Sequence, residues 1–157
     1  MARIGVIADT HNFLDARVLD LFAGVERIVH AGDIGLPRIV TELERVAPVT
    51  AVGGNTDDPC FGWPETATLI IAGHRLLVQH IVDPRRPTPA FTRRLAVERP
   101  TLVVFGHTHQ PYESRHDGVF YLNPGSAGRS RFGLPRSVAL LDLAADRVAV
   151  TFHELGG

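Results

Sequence analysis

Residues 4–11, Ile4-Gly5-Val6-Ile7-Ala8-Asp9-Thr10-His11, stay apolar until they end in a carboxylate and an imidazole. A run this short and this apolar reads as a buried strand, placed at 3–8, with the polar residues falling where it stops. The pattern returns twice. Arg27-Ile28-Val29-His30 is a second strand followed by Ala31-Gly32-Asp33, and Val49-Thr50-Ala51-Val52 is a third followed by Gly53-Gly54-Asn55. Helix-length amphipathic segments lie between them. Residues 14–23 carry Leu14, Val18, Leu21 and Phe22 at helical spacing, with Asn12 or Asp15 as the cap. A second helix starts at Pro37 and carries Ile39, Val40, Leu43 and Val46. Strand and helix in alternation imply βαβ units with right-handed crossovers around a mostly parallel sheet.

Beyond Pro64 the texture changes. Thr68-Leu69-Ile70-Ile71 and Arg75-Leu76-Leu77-Val78 flank Ala72-Gly73-His74, which predicts a hairpin. Residues 83–89 hold Pro84, Pro87 and Pro89 and read as an exposed loop. A helix from about 90 to 98, a strand at Leu102-Val103-Val104-Phe105 and strands from Val119 onward separated by Gly-rich turns complete the reading. Antiparallel pairing is expected to dominate this half. No repeat, heptad or linker interrupts the chain, and 157 residues suit one domain spanning 1–157.

With 45% hydrophobic and 21% charged residues, neither disorder nor a fibrous repeat is indicated. All sixteen basic residues are Arg, which reads as genomic composition bias; the formal net charge of -1 offers no global attraction for nucleic acid or an acidic membrane. A lone cysteine, Cys60, excludes an internal disulfide framework and a thiolate zinc cluster, which fits the reducing cytoplasm. The amino-terminal run reads as a strand, neither a signal peptide nor a membrane span.

Five polar clusters stand where apolar strands run out: Asp9-Thr10-His11, Gly32-Asp33, Gly54-Asn55, Gln79-His80 and Gly106-His107-Thr108-His109. Ligand sites in open sheets form beyond the carboxyl ends of strands, so these clusters are candidates to converge. Asp9, His11, Asp33, Asn55, His80, His107 and His109 supply two carboxylates, one amide oxygen and four imidazoles. That donor set suits Mn, Fe or Zn and is poor for calcium, and seven groups fit two metals better than one. Residues two apart on an extended segment point the same way, so Asp9 with His11, and His107 with His109, are expected to face one pocket. The glycines at 32, 54 and 106 would remove bulk beside the ligands.

In this order and over residues from Ile4 to about Leu143, the clusters resemble the calcineurin-like metallophosphoesterase superfamily. The small bacterial and archaeal phosphodiesterase branch is nearest, and Asn123-Pro124-Gly125-Ser126 and Pro135-Arg136-Ser137 add family-like punctuation. The resemblance implies an α/β (α+β) four-layer sandwich of two mixed β-sheets flanked by helices. It also implies a hydrolase with two divalent ions, Mn first, with Fe, Ni or Zn as alternatives. Asp9, His11 and His109 would hold one ion, Asn55, His80 and His107 the other, and Asp33 would bridge. Asp33, Asn55 and His80 are the residues expected at the reacting centre. A hydroxide formed between the ions would attack phosphorus in line, with the ions stabilising the charge that develops. Two divalent ions outweigh two carboxylates and a hydroxide, so the site attracts a small phosphodiester anion. Ligand imidazoles must be neutral, so activity is expected to fall below about pH 6.

Two departures stand out. Many phosphomonoesterase relatives carry His after the metal-binding Asn; here the residue is Thr56, a poor general acid, which points to diesters over monoesters. After His80 the family usually shows Gly and then His, whereas this chain has Ile81 and Val82, so the wall of the pocket is altered there.

Taken singly, each histidine reads more simply as a polar surface or satisfied core residue, and the reading rests on seven appearing together. His30 is read as a strand filler or as a group orienting a ligand; His74, His116 and His153 are read as solvated. Asn12 and Arg129 are candidates for substrate contact, Asn12 with helix capping as its simpler reading. Arg131 shares the position of Arg129, while Arg85, Arg86, Arg93 and Arg94 read as solvated faces. Cys60 and Trp63 are placed in a surface segment. Two rivals remain, a metal-free scaffold of the same fold that binds a protein, and a nuclease; nucleic acid is not the expected substrate given the absent basic surface. A homo-oligomer is expected only because compact bacterial enzymes commonly self-associate.

Overall fold

Alternation along the strands decides which side of each sheet a residue serves. The computed structural model describes residues 1–156. In it β1 (Ala2–Ile7), β2 (Arg27–His30) and β3 (Val49–Ala51) pair in parallel, Ile4 opposite Arg27 and Ile28 opposite Val49. Helices α1 (Ala16–Leu21) and α2 (Arg38–Glu44) connect them. The second sheet opens with the expected hairpin, β4 (Thr66–Ile71) and β5 (His74–Gln79), turned through Ala72 and Gly73, both at positive φ. Helix α3 (Pro89–Glu98), then β6 (Leu102–Val104), β7 (Pro111–His116) and β8 (Val119–Pro124) follow. The chain returns to the first sheet with β9 (Arg136–Ala144) and β10 (Arg147–Gly156). The orders are β10-β9-β1-β2-β3 and β4-β5-β6-β8-β7.

The two sheets pack face to face. Ile4 and Val6 from β1, Leu76 and Val78 from β5, Leu102 and Val104 from β6 and Leu141 from β9 share one core between the sheets. Residues one step along point outward instead: Ile7 and Ile28 meet Val18 and Phe22 of the α1 region and Ile39 and Leu43 of α2, while Leu77, Val103 and Tyr121 meet Phe91 of α3. Helix, sheet, sheet, helix is therefore a four-layer sandwich. A one-residue slip in any of these strands would exchange its two faces, so both cores hold the register.

Several local expectations are corrected. The first helix is shorter than 14–23, because Asp15 takes an extended conformation and its carboxylate accepts the Arg17 N–H at 2.9 Å, which makes it the cap. The helix in the second half begins at Pro89, inside the stretch read as loop. The Thr88 hydroxyl accepts the Phe91 N–H at 3.1 Å, and proline is well suited to a first helical position. Strand β7 was not anticipated: it starts with proline, pairs only with β8 and is half-buried at alternate positions, an edge strand with little apolar signal. Antiparallel pairs are in the majority in the second half, yet β6 runs parallel to both its neighbours. His74 and His116 are half-buried and bonded, to the Ala144 carbonyl at 2.6 Å and to the Tyr112 hydroxyl at 2.9 Å, rather than freely solvated; His153 is also half-buried. Cys60 is exposed, whereas Trp63 packs partly against the helix-side core. No helix among the described residues is long and apolar enough to cross a membrane.

His30, at the end of β2, is wholly buried. Its Nδ1 accepts the Gly32 N–H at 3.1 Å, so the proton sits on Nε2, which donates to the Thr10 hydroxyl at 3.0 Å; that hydroxyl donates on to the Ile34 carbonyl at 2.7 Å. Burial, reinforced by the nearby charge of His80, pushes the His30 pKa down to about 3. A histidine held neutral in the fold costs stability as pH falls below about 6.5, where the unfolded chain takes a proton that the folded one refuses. The His30 ring signals should therefore stay those of a neutral Nε2–H imidazole from pH 8 to pH 5 in NMR. A midpoint between 6 and 7 would contradict the chain of bonds described.

Candidate metal centre

All five clusters lie at strand ends along one rim of the sandwich. Asp9 follows β1, Asp33 follows β2, Asn55 follows β3, His80 follows β5, and His107 and His109 follow β6. Within the second sheet the Gly106 N–H donates to the His80 carbonyl at 3.0 Å, and the His107 N–H crosses to the first sheet to reach Asp9 Oδ2 at 3.1 Å.

The side chains form two adjoining groups, Asp9 with His11 and His109, and Asp33 with His80 and His107. In the first, His109 Nε2 stands 3.5 Å and His11 Nε2 3.8 Å from Asp9 Oδ1. In the second, His80 Nε2 stands 3.2 Å from Asp33 Oδ2, and Asn55 Oδ1 lies 3.1 Å from His107 Nδ1. Asp33 Oδ2 is also 3.7 Å from His11 Nε2, so it faces both groups, while Asp33 Oδ1 accepts the Thr56 N–H at 2.9 Å. The seven residues singled out from the sequence are thus brought together.

Local geometry differs from the extended spacing expected. Asp9, His11, Asp33, His107 and His109 have φ of 55, 45, 54, 73 and 64°, the left-handed region that side chains ordinarily avoid. The chain coils sharply at each cluster, and His107 and His109 fall in the two adjoining groups, the division between two ions that the resemblance implies. Such strain is held by the surrounding structure and concentrates at functional sites. Glycines make room for the result: a Cβ on Gly32 would stand 2.8 Å from His80 Nδ1, one on Gly106 2.9 Å from Asp9 Oδ2, and one on Gly54 would overlap the Asp33 carboxylate and amide.

Three buried side-chain atoms lack a hydrogen-bond partner among the described residues: Asp9 Oδ1, His80 Nε2 and His109 Nδ1. All belong to these residues, and buried polar atoms are rarely left so. His80 donates from Nδ1 to the Ala31 carbonyl at 2.8 Å, which leaves the Nε2 lone pair directed at the cluster, the tautomer that a metal ligand requires. Burial pulls the His80 pKa down, but the adjacent carboxylates of Asp33, 3.2 Å away, and of Asp9 favour its protonated form and raise it above the ordinary value. Burial pushes the Asp33 carboxyl up, and the adjacent His80 ring together with the Thr56 N–H outweighs it and holds it well below the usual range. Burial lowers the His11 pKa, with the Arg131 charge adding to the effect. Oxygen and nitrogen donors, partnerless atoms and a shared carboxylate all fit a pair of divalent cations. Asp9, Asp33, His80 and His109 are the buried back of the site; Asn55 and His107 are exposed and leave it open in front.

Other residues stand apart from the cluster. Asn12 is not the helix cap; its Oδ1 accepts the Leu36 N–H at 3.1 Å. Arg129 stacks its guanidinium over Phe13 at 4.3 Å, a cation–π contact. His30 holds Thr10 and Gly32 rather than a ligand ring. Two organising residues escaped the sequence reading. Asp57 accepts the N–H groups of Ile34, Gly35 and Gly54 at 2.9, 3.1 and 2.8 Å, locking the Asp33 and Asn55 loops to each other. Buried Asn123 donates to the Gly106 carbonyl at 3.0 Å and the Thr108 hydroxyl at 3.1 Å, bracing the His107 loop. The signal for Asp57 was present: Gly53-Gly54-Asn55-Thr56-Asp57 has no apolar residue, and such a loop needs side-chain acceptors for its amides.

A strand-end rim carrying two candidate metal-ligand groups is the arrangement expected of a metal-dependent hydrolase, and similarity to known proteins gives the family. Residues 2–146 match the model of the calcineurin-like phosphoesterase superfamily domain, and the chain belongs to that family. It is 38% identical over 154 residues to a probable metallophosphoesterase of Methanothermobacter thermautotrophicus, covering 92% of this chain and 88% of that one. It is 30% identical over 169 residues to phosphodiesterase YfcE of Escherichia coli K12, covering 90% and 88%. In fold it is similar to zinc-complexed Vps29 of Entamoeba histolytica, with a TM-score of 0.78, 20% identity and 98% of each chain covered. It is also similar to an archaeal phosphodiesterase, with a TM-score of 0.77, 20% identity and 96% and 99% covered. The protein is a phosphoesterase enzyme.

Gly54→Ala should cost about 1–3 kcal/mol, the usual range for overpacking, because the atoms it meets include backbone. Denaturant unfolding with and without metal measures this, and a midpoint equal to that of the parent protein would mean the Asp33 loop is looser than described.

Proposed function

We propose that the chain hydrolyses phosphodiester bonds with two divalent ions, Asp9, His11 and His109 holding one, Asn55, His80 and His107 the other, and Asp33 shared. The observation that carries this reading is the position of Asp33 Oδ2, 3.7 Å from His11 Nε2 in one group and 3.2 Å from His80 Nε2 in the other. Bound there, the ions would supply a nucleophile from water at neutral pH and Lewis-acid stabilisation of phosphoryl oxygens.

The chain's own residues do the rest. Asp9 and Asp33 put two anionic charges among neutral imidazoles, too few to cancel two divalent ions, so an anionic diester is drawn to the open face between Asn55 and His107. No serine or cysteine stands among the seven residues, and Ser126, nearby, donates its hydroxyl to the Asp9 carbonyl at 3.2 Å, so no covalent protein intermediate is called for. Thr56 offers only a hydroxyl beside Asn55, which favours diesters whose leaving group departs without strong acid help. Mn is the first expectation for the metal, with Fe, Ni or Zn as alternatives. The substrate is a small diester rather than nucleic acid, acted on in the cytoplasm by one domain spanning 1–157, with self-association into a homo-oligomer. Asn12 keeps its amide N–H donors and Arg129 its guanidinium edge for a substrate contact while bonded to Leu36 and stacked on Phe13.

Elemental analysis after Mn supplementation should give two ions per chain; none bound would support a metal-free scaffold instead. Asp33→Asn should lower that stoichiometry and reduce diesterase kcat/KM at least about a hundredfold, beyond the usual loss for residues that only orient ligands. Unchanged metal content in Asp33→Asn would remove the bridging role.

Because Asp33 and Asp9 favour the protonated form of His80, a metal ion has to displace that proton, and affinity falls as pH drops through the raised pKa. Mn affinity measured by calorimetry should therefore weaken from above about pH 6.5, the ordinary imidazole value. Affinity constant from pH 8 down to pH 6 would contradict His80 as a ligand.

A further inference from the structure

A cavity of about 540 Å³ opens beside the cluster, with His107 as its shared wall. Its apolar sides are Ile81, Phe105 and Tyr112, and Arg85 and Gln110 add polar groups. A volume of this size exceeds what a phosphoryl group needs and falls in the range that accommodates small organic ligands.

An exposed isoleucine alone is unremarkable in a protein surface. Ile81, however, is 52% exposed while Val82, its neighbour, is buried against Phe91, Phe105 and Tyr121. Val82 thus anchors the segment in the α3 layer, and Ile81 is left facing the cavity with no packing role of its own. The opposite side is rigid. Phe105 is buried and meets the Tyr112 ring edge-on with centroids 5.9 Å apart, and the Tyr112 hydroxyl is tied to His116 Nε2 at 2.9 Å. Asp83 Oδ1 accepts the amides of Arg85 and Arg86 at 3.1 and 3.2 Å, which fixes the turn carrying Arg85. The Arg85 guanidinium makes no ion pair among the described residues and stays available. Preformed aromatic and aliphatic walls with a few polar groups at hand suit a flat ring bearing hydrogen-bonding edges, and give little to a methyl or glycerol group.

We propose that this cavity is the subsite for the organic group of the diester, and that the substrates carry an aromatic ring there, nucleoside esters being the class that combines ring, polar edges and phosphate. The proposal rests on the phosphodiesterase reading above and gives Ile81 the role of setting specificity.

Two diesters with the same leaving group separate the two claims: thymidine 5′-(p-nitrophenyl phosphate) and methyl p-nitrophenyl phosphate, assayed with the full chain and Mn. The nucleoside ester should be preferred in kcat/KM by at least about tenfold, mostly through KM, the scale of discrimination a hydrophobic pocket provides. Ile81→Gly should bring that ratio close to one, and Ile81→Val should keep most of it. Independently of turnover, thymidine 5′-monophosphate titrated into the protein with diamagnetic zinc should shift the Ile81 methyl and Tyr112 ring signals in NMR. Hydrolysis of both diesters with a ratio indifferent to Ile81→Gly, or the absence of those shifts, overturns the subsite and leaves the phosphodiesterase reading standing. Hydrolysis of neither diester with Mn, Fe, Ni or Zn overturns the reading beneath it, and the subsite falls with it.

Discussion

Asp9 and Asp33 are carboxylates with almost no contact with water, and the architecture around them answers the cost of that burial. An anion removed from solvent is tolerated only with compensating partners. Backbone amides supply part of the compensation: His107 N–H on Asp9 Oδ2 and Thr56 N–H on Asp33 Oδ1. Each carboxylate then presents its other oxygen to imidazoles rather than to a guanidinium or ammonium. Imidazoles can be neutral, so they leave the negative charge for a cation from solution. An arginine in the place of His80 would satisfy Asp33 and close the site.

Placing those groups requires the two sheets to meet at their strand ends. The parallel runs of β1 to β3 and of β5 and β6 deliver five loops to one rim, and the core between the sheets fixes how far apart the loops stand. The separations among the ligand atoms leave little slack. Close approach explains why glycine stands at 32, 54 and 106, each against a ligand from another strand, and why five of the seven ligand-type residues adopt left-handed backbone conformations. Such strain is borne by the neighbouring hydrogen bonds of Asp57, Asn123 and the Thr10–His30 pair, none of which offers an atom to the ligand groups.

Much of this was legible in the sequence, and the reason is physical. Val6, Val29 and Val104 lie in strands whose apolar runs stop sharply at polar residues, and both sheet and rim follow from that boundary. The cluster of candidate ligands was legible because aspartate, asparagine and histidine after several strands have no shared packing purpose. What could not be read was local conformation. Extended backbone was expected at His107 and His109, but φ angles of 73 and 64° show that the chain coils there. Strand β7 was hidden because an edge strand beginning Pro111-Tyr112-Glu113 buries only alternate side chains, and only partly. Of the two caps that the sequence offered, Asn12 and Asp15, it is Asp15 that holds the Arg17 amide.

Thr56 and the cavity beside Ile81 bear on the same chemical question. Thr56 is tied through its backbone to Asp33 and exposes its side chain, so no imidazole or carboxyl at that position is available to protonate a departing alkoxide. On the phosphodiesterase reading proposed above, rate would come from stabilising charge and from holding the diester in line, and holding would depend on contacts remote from phosphorus. A site with a weak acid gains most from strong purchase on the organic group. The cavity walled by Ile81, Phe105 and Tyr112 is where this chain has apolar surface to offer for that purpose, immediately next to His107. On that reading the lack of a strong proton donor at one wall and the recess at another are coherent: positioning would take over a share of the work of acid catalysis.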